Sequence, residues 1–179
     1  VTTDSEAEAA VVFSLGFTDS AGNAGVAVTA TTDGTSVTHD DTVPTLSNIV
    51  EATTGTGEAN DGDTVSLTIT ASENIQQPTC TFSSGGDAMA NSPSYSGSGT
   101  SWTSSVTVAD GDTNGDVTFS CAFSDVAGNA GTPDTTPNSG DIEVENTHPT
   151  VSSFSFGDTA MKTGDTPTLT LTFSEAVVG

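Results

Sequence analysis

Residues 62–75 read GDTVSLTITASENI, and from Thr64 to Thr70 they alternate strictly. Val65, Leu67 and Ile69 fall on one side of an extended chain, while Thr64, Ser66, Thr68 and Thr70 fall on the other. That is the pattern of a strand with one buried and one wet face. A helix would need its apolar residues three and four apart, and here they are two apart.

Working outward, the same alternation recurs in Cys80 with Phe82, in Trp102 with Val106 and Val108, and in Val117, Phe119, Cys121 and Phe123. Leu46 and Ile49 before them and Ile142 with Val144 after them bring the expectation to about seven strands. Thr, Ser and Val dominate the 179 residues, with 19 glycines and 7 prolines, whereas good helix formers are scarce. The composition predicts an all-β protein with many turns.

The chain repeats itself. FTDSAGNAG (17–25) returns as FSDVAGNAG (123–131), VPTLSNI (43–49) as HPTVSSF (148–154), and GDTVSLTITASENI as GDTPTLTLTFSEAV (164–177). In the AGNAG phrase the Gly-Asn pair is expected to supply the positive φ of a tight hairpin, and the Asp to bond backbone N–H groups across the turn. The period of roughly 105 residues is too long for a solenoid coil and fits one β-sandwich of immunoglobulin type. The expected organisation is the closing part of one such domain in 1–42, a complete domain in 43–147 and the opening part of a third in 148–179. The lack of an initiator Met or signal peptide suggests an excerpt from a longer polypeptide.

Charge excludes some partners. Against 24 Asp and Glu stands one basic residue, Lys162, for a formal net charge of -23. Nucleic acid and anionic membrane surfaces would be repelled, and no apolar run is long enough to span a bilayer. Such a surface keeps a long molecule soluble in salty water, where screening softens its self-repulsion.

Cys80 and Cys121 both lie on the inward phase of their strands. In an oxidising compartment they would join, closing a loop of about forty residues for on the order of 4 kcal/mol. The other reading is two buried thiols. Aligning FSLGF (13–17) on FSCAF (119–123) puts Leu15 at the place of Cys121, so the site is apolar core.

Two acidic places invite a hard cation. DGDTNGD (110–116) has the D-x-D-x-N-G opening of a calcium loop through Asp110, Asp112, Asn114 and Asp116, but Cys121 stands where a bidentate Glu would be needed. A turn whose oxygens bond local backbone is the alternative. At the domain junctions, Asp40 and Asp41 precede Val43-Pro44 and Glu145 precedes His148-Pro149. These carboxylates, with Asp61 and Asp63 nearby, would hold Ca2+ between domains, or else stay solvated. Catalysis is not expected: His39 and His148 sit beside linkers, and no nucleophile elbow, zinc-protease, phosphate-loop or dinucleotide motif appears.

Taken together, the proline entries, the GDT strands and the AGNAG hairpin resemble bacterial-type immunoglobulin-like repeats. These belong to very large bacterial surface proteins and adhesins, with similar repeats in secreted proteins of marine microalgae. The resemblance implies sandwich domains used as extracellular stalk or extender units, in some relatives rigidified by calcium at their junctions. It implies no enzyme activity and no ligand site within the array. Two functions follow as expectations: a monomeric stalk at the cell surface, contacting only its neighbouring domains, or a segment of a self-assembling filament or appendage packed against identical chains.

Overall fold

The computed structural model describes residues 8–55 and 57–178. Every regular element among them is a strand: β1 (Ala9–Ala10), β2 (Thr38–His39), β3 (Leu46–Thr53), β4 (Glu58–Ala59), β5 (Thr64–Ala71), β6 (Thr79–Ser84), β7 (Asp87–Ala88), β8 (Ser94–Ser98), β9 (Ser101–Thr107), β10 (Gly115–Ala122), β11 (Glu143–Val144), β12 (Val151–Phe156) and β13 (Leu169–Phe173). The fold is all-β. No helix of the described residues is long and apolar enough to cross a membrane.

Strands β3, β5, β9 and β8 pair in that order into an antiparallel sheet, and β4, β11, β10, β6 and β7 form a second sheet in which only β11 and β4 run parallel. The alternation explains why the sheets meet. Ile49, Val65, Leu67, Ile69 and Val106 of the first sheet share one buried cluster with Cys80, Phe82, Val117, Phe119, Cys121 and Val144 of the second. Burying each aliphatic side chain contributes roughly 1.5–3 kcal/mol, so this shared layer drives the fold. Two sheets around one cluster are consistent with a β-sandwich.

The strands at either end repeat the pairing of the middle. Ala9↔His39 and Ala10↔Thr38 in β1–β2 match Gly115↔Val144 and Asp116↔Glu143 in β10–β11, and the bridge Leu15↔Val28 matches Cys121↔Asp134. In β12–β13, Phe154↔Leu171 and Phe156↔Leu169 match Ile49↔Ile69 and Glu51↔Leu67 of β3–β5. Even the bulge recurs, between Val151 and Ser153 as between Leu46 and Asn48. Similar sequences have thus taken the same register, and in β12–β13 its defect as well. The flanks differ in one respect: their inward-phase residues lie exposed, whereas those between Ile49 and Val144 are buried.

The AGNAG phrase forms the same closed loop twice. The Asp125 carboxylate accepts the backbone N–H groups of Gly128 (2.6 Å) and Asn129 (2.8 Å) and the Asn129 side-chain amide (2.8 Å). Asp19 accepts the N–H groups of Ala21 and Asn23 and the Asn23 amide, at 2.8–2.9 Å. Only the glycine takes the positive φ, +105° at Gly128 and +92° at Gly22, and the asparagine keeps a negative one. The last glycine has another purpose: a Cβ on Gly131 or Gly25 would overlap the ring of Phe123 or Phe17.

Cys80 and Cys121 are directly opposite on β6 and β10 and are joined by a disulfide spanning 41 residues, with Cα atoms 4.1 Å apart. They form a pair whose backbone groups point away from each other, the kind in which strands approach closest. Cys121 N–H donates to the Asp134 carbonyl. The Tyr95 hydroxyl of β8 accepts the Cys80 N–H at 2.9 Å and donates to the Cys80 carbonyl at 3.1 Å. One phenol therefore satisfies both outward backbone groups of Cys80 and ties the first sheet to the second.

Glu51 breaks the inward apolar pattern. It is 4% exposed, its Oε1 has no hydrogen-bond partner, and burial together with the neighbouring Asp141 carboxylate pushes its pKa up to about 7 from an ordinary 4.5, against the pull of the Ile142 N–H. Phe156 stands at the matching place in β12.

Candidate metal centre

Three carboxylates from distant parts of the chain converge beside the link that leads into β3. Asp125 comes from the closed loop, Glu73 from the turn after β5, and Asp40 from the link itself. One oxygen of each lies within 4.8 Å of the other two.

Local structure fixes each. The Asp125 loop is held to the β5–β6 turn because Gln76 donates its backbone N–H to the Ser124 carbonyl and its side-chain amide to the Asp125 carbonyl, both at 2.9 Å. Asn129 donates its amide both to the Asp125 carboxylate and, at 2.9 Å, to the Asp40 carbonyl. The loop thereby grips the link. Ser72 clamps the other side: its hydroxyl accepts the Thr45 N–H and its N–H donates to the Thr45 carbonyl.

The electrostatics are unbalanced. Burial raises Asp125, but the Asn129 side chain and the N–H groups of Asn129, Gly128 and Ala127 outweigh it and leave the carboxyl below its ordinary range. Asp125 therefore stays ionised. Among the described residues Glu73 has no such donors: its Oε1 is buried without a partner there, and burial, then Asp40, Asp125 and Glu8, hold its pKa above the ordinary value. Three like charges at this spacing repel unless a proton or a cation intervenes. Clustered carboxylate oxygens with a backbone carbonyl nearby fit a hard divalent ion, as the chemistry of calcium requires.

Elements of this arrangement recur at the second link. Glu145 occupies the place of Asp40 and Glu175 that of Glu73, and the Glu175 Oε1 is likewise buried without a partner. Both line a hollow with His148, Asn60 and Asp61. The Ser174 clamp on Thr150 repeats that of Ser72 on Thr45.

In the 110–116 loop, Asp112 is buried and accepts the N–H groups of Ala90 and Ala109. Asn114 donates to Glu145 and Thr147, which ties this loop to the second link. Asp116 lies in β10 opposite Glu143, and Asp110 is exposed. Asp41 Oδ1 lies 3.2 Å from His39 Nε2, and Asp63 accepts from the Thr54 hydroxyl and the Asn60 N–H. Glu145 is held below its ordinary range by the Thr147 hydroxyl and N–H, with further help from Asn114 and His148 against a small burial cost.

Glu73 and Asp125 escaped the sequence reading as metal candidates, the first as the end of a strand and the second as a turn residue. A signal existed for Glu73: the Ser-Glu pair closes both GDT segments, although polar alternation already ends before it. No protein-family model matches this chain, and no curated protein matches it in sequence.

Proposed function

We propose that this chain is a stretch of tandem immunoglobulin-like units in an extracellular structural protein, a non-catalytic extender whose junctions are stiffened by calcium. The observation that carries the reading is the register identity, bulge included, between the flanking strands and those of the 43–147 unit. A protein that repeats one unit with one link geometry gains length in regular steps. The disulfide supports an oxidising compartment, since cytosolic reductants would keep such thiols apart.

Calcium would bind through Asp40, Glu73 and Asp125 at the first link, and through Glu145 and Glu175 at the second. Each set joins a residue of the link to a residue of the unit that follows it, so the ion would fix the angle between neighbours. Loops 110–116 and 123–131 keep the supporting task of gripping the links.

Isothermal titration of the chain with CaCl2, paired with small-angle scattering, tests both halves. Saturable uptake with a narrower distribution of elongated shapes is expected. No saturable uptake at millimolar calcium would remove the ion, and a compact particle at every condition would remove the extender.

A further inference from the structure

The first and last segments of the 43–147 unit run side by side in the same direction, first along β3 and then along β4. At β3, Asn138 donates its N–H to the Ile49 carbonyl at 2.8 Å and Glu51 donates to the Ser139 carbonyl at 2.9 Å, around a parallel bridge between Val50 and Ser139. The Asn138 side chain adds a third bond, its Oδ1 accepting the Ile49 N–H at 2.6 Å. The two segments lie so close that a Cβ on Gly140 would overlap the Glu51 carbonyl. At β4, the parallel pairs Glu58↔Glu143 and Ala59↔Val144 continue the contact, and Glu145 donates its N–H to the Ala59 carbonyl at 2.9 Å.

Direction decides how such contacts fail. Tension carried along the chain enters through the link before β3 and leaves through the link after β11. It draws two parallel segments past each other, so the hydrogen bonds between them lie across the pull and share it. An antiparallel hairpin pulled from its open end instead parts one pair at a time. Both points of loading are fastened to the unit. Ser72 holds Thr45 by two hydrogen bonds at the entry, and Asn114 donates to Glu145 and Thr147 at the exit.

We propose that this unit bears tension along the chain, with the parallel contacts of Ile49–Glu51 and Glu58–Ala59 against residues 138–145 as its clamp, and with the Cys80–Cys121 disulfide limiting how far it lengthens once the clamp fails. The two contacts are unequal. Glu58, Glu143 and Asp116 stand in register across β4, β11 and β10, and like charges placed so oppose the second contact. The first is reinforced by the Asn138 side chain and carries more of the load. After rupture the disulfide withholds from extension the chain between residues 41 positions apart. At about 3.4 Å per extended residue, that span is roughly 140 Å of length released only on reduction.

Stretching single molecules of the full chain by their two ends, with and without a thiol reductant, tests the proposal. Wild type is expected to give one abrupt rupture of this unit, with a length gain that grows by roughly 140 Å when the disulfide is reduced. Forced rupture follows the unfolding barrier along the pull and not the equilibrium stability, so two variants separate these. Asn138→Ala, at an exposed position, takes the partner from the Ile49 N–H and should lower the rupture force. Tyr95→Phe lies in β8, away from both contacts, and should lower chemical stability while leaving the force near that of wild type. Gradual lengthening without a rupture overturns the proposal, as does a gain unchanged by reduction or an equal loss of force in the two variants. The wild-type traces decide the matter even where a variant does not fold. The extender reading is judged separately, by the scattering shape of the chain at rest.

Discussion

At the scale of single residues, the glycine that ends FSDVAGNAG is a packing requirement. The ring of Phe123 lies where a side chain on Gly131 would be. Gly131→Ala must displace that ring from its contact with Ala71 and Ile75, so a loss of about 1–3 kcal/mol is expected in urea unfolding. Gly25→Ala faces the same overlap, but with Phe17, which is exposed, and should leave the midpoint almost unchanged. Glu51 makes a different demand. Its pKa is about 7 in the fold and ordinary when unfolded, so the folded chain binds the proton more tightly between those values. Stability from this group is therefore full below about pH 4.5 and is lost as pH rises through about 7, by on the order of 3 kcal/mol. Asp125 and Glu145 act the other way: their depressed pKa values contribute stability above the ordinary carboxyl range that is lost as pH falls through it. Thermal unfolding should accordingly peak on the acid side of neutrality. Glu51→Gln should flatten the decline between pH 5 and 7, and a decline that persists in that variant would assign it to another group.

At the scale of elements, period-two alternation made β5, β6, β9 and β10 legible, because one face of each is buried and its inward residues are mostly apolar, Ser84 and Ser104 apart. Strand β8, SYSGS, carries no such signal. It is an edge strand whose residues are small and polar, and Tyr95 is its one link to the interior; pairing with β9 and the Tyr95 hydroxyl hold it in place. Tyr95→Phe keeps the ring and removes the oxygen, leaving the Cys80 N–H and carbonyl without their partner. A loss of about 1–3 kcal/mol is expected by chemical denaturation, larger than a surface tyrosine would give. The cysteines were readable as inward neighbours, yet their placement opposite each other within one sheet depends on register, which alternation alone leaves open by steps of two. The candidate metal centre was half legible for a related reason. Asp40 belongs to a linker rich in acids, which draws attention by composition, but Glu73 and Asp125 meet it only because the β5–β6 turn and the closed loop lie at the same end of the unit. That convergence is a property of topology and leaves no local trace in the sequence.

At the scale of the whole molecule, repetition and charge pull against each other. Both links are acidic, at Asp40 and Asp41 and again at Glu145, and one basic residue in 179 cannot neutralise them. Depressed pKa values keep some of these acids ionised, so relief must come from solution, either as diffuse salt or as ions bound where carboxylates cluster. The two routes predict different behaviour. Diffuse screening depends on ionic strength and is indifferent to any one residue, whereas a bound divalent ion depends on its ligands. Glu73 separates them, because its buried Oε1 has no partner among the described residues and its neutral isostere removes charge without removing a hydrogen bond seen there. Without divalent ions, Glu73→Gln should unfold at the same temperature as wild type or higher, since an uncompensated charge is gone. With calcium at a hundredfold excess over its dissociation constant, wild type should gain about 2.7 kcal/mol by mass action and the variant little of that. Calorimetric scans of both chains in EDTA and in calcium, at matched ionic strength, give the four values required. An equal calcium response in the two chains would leave Glu73 outside the centre and return the junction acids to plain solvation.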